Sequence, residues 1–555
     1  MPIGMSGVVN YANVTSGAAT GVIAQGYLAN AGVVVLYSSA SLSFNFSTTP
    51  SISTSLTFTR SSTATVIDFE GLVKTAKVNE IRFPGYRRVE NIIPGSENST
   101  NWTPANAGTG SGAAVSVVAN SSPNGDSSFR IQATRGAGTT GSDSSYVRLV
   151  GQIGGGALAR NSLWIKSNTG SSQNVQTTST SNPVGQVIVA TTAWQRLSPP
   201  MTAGDFVVGV RGTNGDANID VLIWHPQQEN VTGQANQNPS EYVSVGVLAY
   251  PYQGSGVDGV QNFSYQNGNT VNSNIVTQAT GTAITDGSIL LEEARTNLCL
   301  QSEVFKTTWV SSNVTITDNS IAAPDGNTTA DTLTAAAGNA TLLQTITSAS
   351  ADRTFSIWLK RKTGTGNIDL TVDNGATWTT QILTSAWVRF TLTQSAVTNP
   401  VIGVRIVTNA DAVYAWGAQL GSYLTTSSYI PTTTTALTRS TDVPSFTGAG
   451  LSWYNAQQGT FVITASGNSF KAPSEFGAIS LTNVTQKTYV VTYNNAAKSG
   501  STYLYTAVGG STPTEFTGVS VPTTVYMFAA GLMNVTNFTY YPAAWSVAQI
   551  VAVLT

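Results

Sequence analysis

The sequence predicts an all-β fold: tandem β-sandwich (jelly-roll) domains followed by a C-terminal lectin-like sandwich that ends in a short helix. Three observations predict it. Short runs such as Thr354-Phe-Ser-Ile-Trp-Leu-Lys360 alternate in character and stop at Gly, Asn, Pro or Asp turns, while helical periodicity is nearly absent. A block of about 140 to 150 residues occurs twice. Finally, 41% of the 555 residues are hydrophobic and 9% are charged, so the chain has a core to bury and covers its surface with neutral Ser, Thr, Asn, Gln and Gly.

In chain order, residues 1–55 are rich in small residues, strand-like and unrelated to the repeats, and read as an N-terminal attachment region. Residues 56–90 are a strand-and-turn connector to the first repeat, 91–245. Residues 246–296 are the connector to the second, 297–432. Inside the repeats the strand signal has period two: Val388, Phe390 and Leu392 share one face, Arg389 and Thr391 the other. Residues 433–452 form a linker to a distinct C-terminal β domain, 453–555, whose one helix is expected over roughly Ala544 to Leu554.

The duplication is read from matched patches. Ser162-Leu-Trp-Ile-Lys166 matches Ser356-Ile-Trp-Leu-Lys360, and Ala193-Trp-Gln-Arg-Leu197 matches Ala386-Trp-Val-Arg-Phe390. The turn Pro123-Asn-Gly-Asp126 matches Pro324-Asp-Gly-Asn327, and Ser240-Glu-Tyr-Val243 matches Ser428-Tyr-Ile-Pro431. The offset drifts one way, from 207 to about 187, as loops shorten. Of 11 tryptophans, eight form the pairs Trp102/Trp309, Trp164/Trp358, Trp194/Trp387 and Trp224/Trp416, for which packing is the favoured reading. Trp378, Trp453 and Trp545 have no counterpart. An exposed aromatic ring can stack on a sugar, so Trp378, on its Asn374-Gly-Ala-Thr-Trp378 loop, and Trp453 are the candidates for glycan contact. A half-buried hairpin tryptophan explains Trp378 equally.

Several classes are disfavoured. Net charge is −2 with no Lys/Arg-rich run, which argues against a nucleic-acid groove. One cysteine, Cys299, permits no intramolecular disulfide or cysteine zinc site, and the lone His225 no multi-histidine site. The best apolar stretch, Gly21 to Tyr37, is interrupted by Gln25 and Asn30, so no membrane insertion is expected. The start, Met-Pro-Ile-Gly-Met-Ser, lacks a basic segment, and no secretory signal is read.

Catalytic candidates are few, and none is assigned. Glu292 and Glu293 are adjacent in a predicted strand and point to opposite faces, which rules them out as a dyad. Asp68 and Glu70 read as a solvated edge, Glu97 and Glu303 as equivalent caps or hydrogen-bond partners, and His225 as an edge-strand residue. The two Pro–Asp/Asn turns favour tight reversals, with a structural calcium as the alternative. Lys360-Arg-Lys362 and Arg87-Arg88 read as solvated strand ends, with local contact to an anionic glycan as the alternative. No cofactor is expected.

Three patches resemble the modular head-fibre and tail-fibre proteins of tailed bacteriophages. Gly287-Ser-Ile-Leu-Leu-Glu-Glu-Ala-Arg-Thr-Asn-Leu298 with Gln301-Ser-Glu303 is similar to the signature that precedes a carbohydrate-binding-module-like sandwich in those fibres. Tyr414-Ala-Trp-Gly-Ala-Gln-Leu420 with Ser428-Tyr-Ile-Pro-Thr432 and Thr438-Arg-Ser-Thr-Asp442 resembles the end of that sandwich. Phe58-Thr-Arg-Ser-Ser-Thr-Ala-Thr65 resembles the segment leading into it. Phe538-Thr-Tyr-Tyr-Pro542 with Ser546 and Ala548-Gln549 is similar to the closing strand and helix of concanavalin-A/laminin-G-like sandwiches. In the first repeat, Tyr86-Arg-Arg-Val-Glu-Asn91 and Trp224-His-Pro-Gln-Gln228 are degenerate versions of the pattern.

The resemblance implies a non-enzymatic virion fibre, spike or decoration protein, assembled in the host cytoplasm and then extracellular. It implies a homotrimer, docked on other capsid or tail proteins through residues 1–55, with residues 453–555 as distal tip and host-surface glycan as a contact. An extracellular-looking composition without an export signal suits a protein released by lysis. A glycan-recognising tail-fibre tip is the alternative. A polysaccharide-degrading tailspike and a bacterial adhesin stand behind it.

Overall fold

The computed structural model describes residues 39–45, 56–149, 158–178, 187–199, 206–242, 287–467, 483–494 and 532–545, excepting 69, 94, 214, 236 and 241. It also describes 26–28, 34–36, 252–255, 262–267, 270–272, 502–506, 514–516, 524–526 and 549–550. The elements are β-strands throughout, apart from a 3-10 turn at Gly448–Leu451 and helical Gln549 and Ile550.

The two repeats are sandwiches of identical strand order. In the first, one sheet runs Ala114–Val118, Ser128–Thr134, Asn218–Asn230, Ala159–Ser167, Gln195–Leu197. The other runs Thr103–Ala107, Ser144–Arg148, Phe206–Arg211, Gln173–Thr178, Val187–Ala190. In the second the same positions are held by Val314–Ile321, Ala330–Ala335, Ala412–Gly421, Ala351–Thr363, Val388–Val397. Its facing sheet is Val310–Ser312, Ala340–Thr345, Val401–Ile406, Ile368–Thr371, Thr379–Gln381. Every pairing between these strands is antiparallel. Alternation buries one face of each strand, giving one core around Trp102, Phe129, Leu163 and Phe206 and another around Trp309, Leu342, Phe355 and Ile402.

Both central strands carry a β-bulge at the same place. Ser162 lies opposite Gln227 and Trp164 opposite Trp224, and likewise Ser356 opposite Gln419 and Trp358 opposite Trp416. The first bulged residue is left-handed in each: His225 at φ 49° and Gly417 at φ 65°. His225 lies in the strand at the centre of the sheet order, but beyond Ile223 that strand is flanked by Ala159–Ser167 alone, so His225 has a paired strand on one side only. Pro226 is accommodated at the bulge, past Ile223 where the ladder to Ser128–Thr134 ends, so only Ala159–Ser167 flanks it.

A third sandwich is discontinuous in sequence. Its long strand Leu532–Tyr541 pairs with Gln458–Gly467, with Ile289–Glu292 and with Leu42–Asn45. In a second sheet Leu56–Thr59 pairs with Val443–Thr447. Phe44, Leu56, Phe58, Ile81, Phe83, Ile289, Leu291 and Phe446 thus share one core with Trp453, Phe461, Phe538 and Tyr540. The expected attachment region, connectors and linker therefore supply strands of the C-terminal domain, and the two repeats are insertions within it. The reason is physical: alternating Leu56/Phe58 and Ile289/Leu291 need a sheet to bury them, and that sheet lies hundreds of residues away. The remainder of 1–38 outside the hairpin Gly26–Leu28/Val34–Leu36 lies outside the described residues. Of the helix expected over 544–554, Ala544 and Trp545 are not helical, Gln549 and Ile550 are, and the rest lies outside the described residues.

Candidate functional site

The duplicated residues form the same bonds twice. Asn91 Oδ1 accepts from the Ile93 and Gln228 N–H groups while its Nδ2 donates to Pro226 O. Asn297 does the same with Cys299, Leu420 and Ala418. The Trp194 and Trp387 Nε1 atoms donate to Ser121 O and Ala322 O at 3.0 and 3.1 Å. Those acceptors sit at the paired turns, closed by Gly125 and Gly326 at φ 84° and 88°. Gln227 Nε2 meets Ser240 Oγ at 3.0 Å and Gln419 Nε2 meets Ser427 Oγ at 3.0 Å, so Ser427 rather than Ser428 is the counterpart of Ser240.

These bonds surround an aromatic cluster in each sandwich. In the second, Trp358, Trp416 and Tyr429 pack edge-on or tilted with ring centres 4.8–5.3 Å apart. Tyr429 Oη bonds Ser302 Oγ at 2.7 Å and donates to Glu303 at 2.9 Å. Burial and the neighbouring Glu303 charge push the Tyr429 hydroxyl above its ordinary range, and burial raises Glu303. In the first sandwich Ser96 bonds Tyr242 Oη at 2.8 Å, with Glu97 at 3.4 Å. Glu97 and Glu303 are thus hydrogen-bond partners, one of the two roles their sequence context allows.

The two clusters differ at the bulge. His225 slots its imidazole between Trp224 and Tyr242, with ring centres 3.5 and 3.6 Å away. Burial, aided by Arg196, holds His225 down to about 3. At Gly417 a Cβ would stand 2.7 Å from the Trp358 ring, so glycine is what lets Trp358 and Tyr429 close together.

The adjoining arginines differ too. Arg196 Nη2 donates to Ser162 Oγ and Ser240 O. The equivalent Arg389 lies over Trp358, its guanidinium carbon 4.4 Å from the ring centre, and donates Nη1 to Ser427 O at 2.7 Å. Its Nε and Nη2 are buried and have no hydrogen-bond partner among the described residues. Burial lowers its pKa to about 10.

Arg389 lines a cavity of about 280 Å³ where the second sandwich meets the third. The hairpin Ala64–Ile67/Val73–Ala76 forms the opposite wall and is fastened by Thr65 Oγ1 to Tyr429 O at 2.6 Å and Val73 N to Pro324 O at 2.9 Å. Ile67, half exposed, stands at the mouth. Glu292 and Arg389 are the carboxylate and the guanidinium of its lining.

Glu292 belongs to a buried ion network. Arg82 joins Glu292, at 2.7 Å, to Asp442, and Arg60 reaches Asp442 at 3.0 Å. Arg439 Nε lies 3.4 Å from Glu292, which also accepts the Ser428 N–H and hydroxyl. Burial pushes the Glu292 carboxyl up, yet Arg82 and Arg439 outweigh it and hold it at about 2. Three guanidiniums thus face two carboxylates. The sequence shows Glu292 only as half of a failed dyad and gives no sign of these partners, because Arg60, Arg82 and Asp442 are far away in the chain.

Other expectations resolve locally. Trp453 is 8% exposed, packed against Phe446, Phe461 and Tyr540, so it is a core residue and has no face for glycan. Trp545 is buried as well. Trp378 is half-buried on its hairpin, with Arg405 4.5 Å over its ring. Asp68 is buried, accepting the Glu70 and Leu72 N–H groups, rather than solvated. Arg88 is paired with Glu80 and Glu90, not a free strand end. At the second turn the Asp325 carboxylate bonds Asn327. Among the described residues no group of three or more His, Cys, Asp or Glu is placed to hold a metal, and no helix is long and apolar enough to cross a membrane.

No family model and no curated protein matches the chain. Among solved structures, it is similar to the N-terminal CBM22-1–CBM22-2 tandem domain of Xyn10C from Paenibacillus barcinonensis. Identity is 10%, covering 61% of this chain and 98% of that one, with a TM-score of 0.18. So distant a likeness carries no functional argument.

Proposed function

We propose that this chain is a structural fibre, spike or decoration protein of a tailed bacteriophage particle, working without catalysis and contacting host-surface glycan. The observation that carries the reading is the pair of sandwiches with one strand order and one set of internal bonds, both inserted into a third. The fibre-like patches support it: Arg60, Glu292, Ser428, Arg439 and Asp442 come from three separate patches and meet at one joint. Their chemistry there is that of a fastening. Glu292 and Asp442 are saturated by arginines and N–H donors, which leaves neither free for acid–base work. Trimeric assembly and docking through residues 1–55 come from the resemblance and belong to the proposal.

The test is incubation of the purified full chain with host capsule and lipopolysaccharide alongside a pull-down of phage particles. The proposal expects no new reducing ends and co-purification with the particle. Release of oligosaccharide would instead establish a tailspike hydrolase. A cavity at the joint between sandwiches favours the receptor-binding variant of this reading, in which the second repeat rather than the C-terminal segment meets the glycan.

A further inference from the structure

We infer that the outward face of the second repeat's facing sheet, centred on Trp378 and Arg405, is a platform for a run of neutral hexoses in a surface polysaccharide. The inference rests on the glycan-contact reading above and gives it a place and a ligand class.

Strand alternation decides which residues point away from the core. Ile402, Val404 and Ile406 belong to the core, so Gly403 and Arg405 take the other face. The same alternation puts Asp369 and Thr371, and Thr341 and Leu343, on that face. Register sets Arg405 between Asp369 and Thr341, and Leu343 between Gly403 and Val310, which is 70% exposed. Trp378 reaches this face from the start of the edge strand Thr379–Gln381, with Arg405 over its ring.

The pair is built rather than incidental. Arg405 gives Nε and Nη2 to one oxygen of Asp369, at 2.9 and 2.6 Å, and Thr380 Oγ1 donates to the other at 2.7 Å. Held there, the guanidinium backs one face of the indole, its carbon 4.5 Å from the ring centre. No other ring or cation packs on Trp378 among the described residues. Two donors stay available at this spot: Trp378 Nε1 and Arg405 Nη1 make no hydrogen bond among the described residues, and neither atom is buried. A Cβ at Gly375, where φ is 78°, would stand 2.8 Å from Trp378 Nε1, so glycine keeps that edge of the indole clear.

This chemistry fits a neutral sugar. A pyranose carries an apolar face of C–H groups inside a rim of oxygens. The indole matches the face, and the two free N–H donors match the rim. Among the residues of the platform only Arg405 and Asp369 are charged, and they are paired at 2.6 Å, so an acidic sugar gains no net charge to bind. From Ile368–Thr371 to Val310–Ser312 the sheet advances by three strand spacings, about 14 Å. That length takes more than one ring, with Leu343 and Val310 as further contacts for C–H groups.

The test is calorimetric titration of the full chain with galactose, glucose and mannose oligomers, and with galacturonate and glucuronate oligomers for comparison. Oxidative footprinting of the tryptophans accompanies it. At least one neutral series should bind, with its acidic counterpart no tighter. The bound sugar should protect Trp378 from oxidation and leave Trp164 and Trp387, also half-buried, as reactive as before. Trp378→Ala should abolish binding. Because that change also frees Arg405, Trp378→Phe is the second variant: it keeps a ring, loses the N–H, and should weaken binding about tenfold with the unfolding temperature kept. An acidic sugar bound tenfold more tightly than its neutral counterpart would overturn the inference. So would protection that misses Trp378, or affinity unchanged in both variants; glycan contact would then lie elsewhere on the chain. Absence of binding to every sugar overturns it too and removes glycan contact with it, while particle co-purification independently decides the virion reading.

Discussion

His225 and Gly417 occupy the same left-handed bulge position in two copies of one sandwich, and the exchange of one for the other decides how the aromatic cluster behind it packs. With glycine, Trp358 and Tyr429 meet edge to face; with histidine, an imidazole is interleaved between Trp224 and Tyr242.

Gly417→Ala should therefore be destabilising, by about 1–3 kcal/mol, because the new methyl meets Trp358 at a φ of 65°. Denaturant unfolding of the second sandwich checks this. An unchanged midpoint would show that Trp358 yields without cost.

The imidazole also sets a pH dependence. His225 titrates near 3 in the fold against an ordinary 6.5, so it is neutral in the native state and protonates more readily once unfolded. Its contribution is complete above about 6.5 and is lost as pH falls from there towards 3, by at most about 1.4 kcal/mol per unit. Melting curves from pH 7 to 4 should slope accordingly in the wild type and flatten in His225→Gly.

The joint responds at lower pH. Glu292, held at about 2 against an ordinary 4.5, contributes stability that is whole above 4.5 and is lost as pH falls towards 2. Removing one partner of such a network is the severe change: Arg82→Met should cost about 3–5 kcal/mol, since Glu292 and Asp442 stay buried with their charge. Chemical unfolding at pH 7 measures it. A loss below about 1 kcal/mol would mean that water replaces the guanidinium.

How much of this is legible in the sequence depends on the range of the interactions. Period-two runs and the duplication, both local, announce the two sandwiches, and matched tryptophans such as Trp102 and Trp309 are equivalent core residues. The third sandwich is hidden, because nothing near Phe58 or Leu291 says that their partners are Pro444 and Met533, strands hundreds of residues away. Trp453 misleads for the same reason: lacking a duplicate, it looks available, whereas its partners Phe461 and Tyr540 come from strands of a non-local sheet. Arg389 is visible as half of a matched pair, but its Nη2, unbonded among the described residues where Arg196 Nη2 bonds Ser162 and Ser240, is a difference between copies that only geometry reveals.

Fragments test the discontinuous architecture. Residues 297–432 contain a whole sandwich and its core and should fold alone, with a cooperative melt. Residues 433–555 lack Phe44, Leu56, Phe58, Ile289 and Leu291 and should not. A folded, monomeric 433–555 would contradict the insertion scheme.

The most direct measurement of the central proposal is electron microscopy of intact phage particles labelled with an antibody against this chain. The proposal predicts label at one defined place on every particle, projecting from its surface. Purified, infectious particles that carry none of the chain would contradict it.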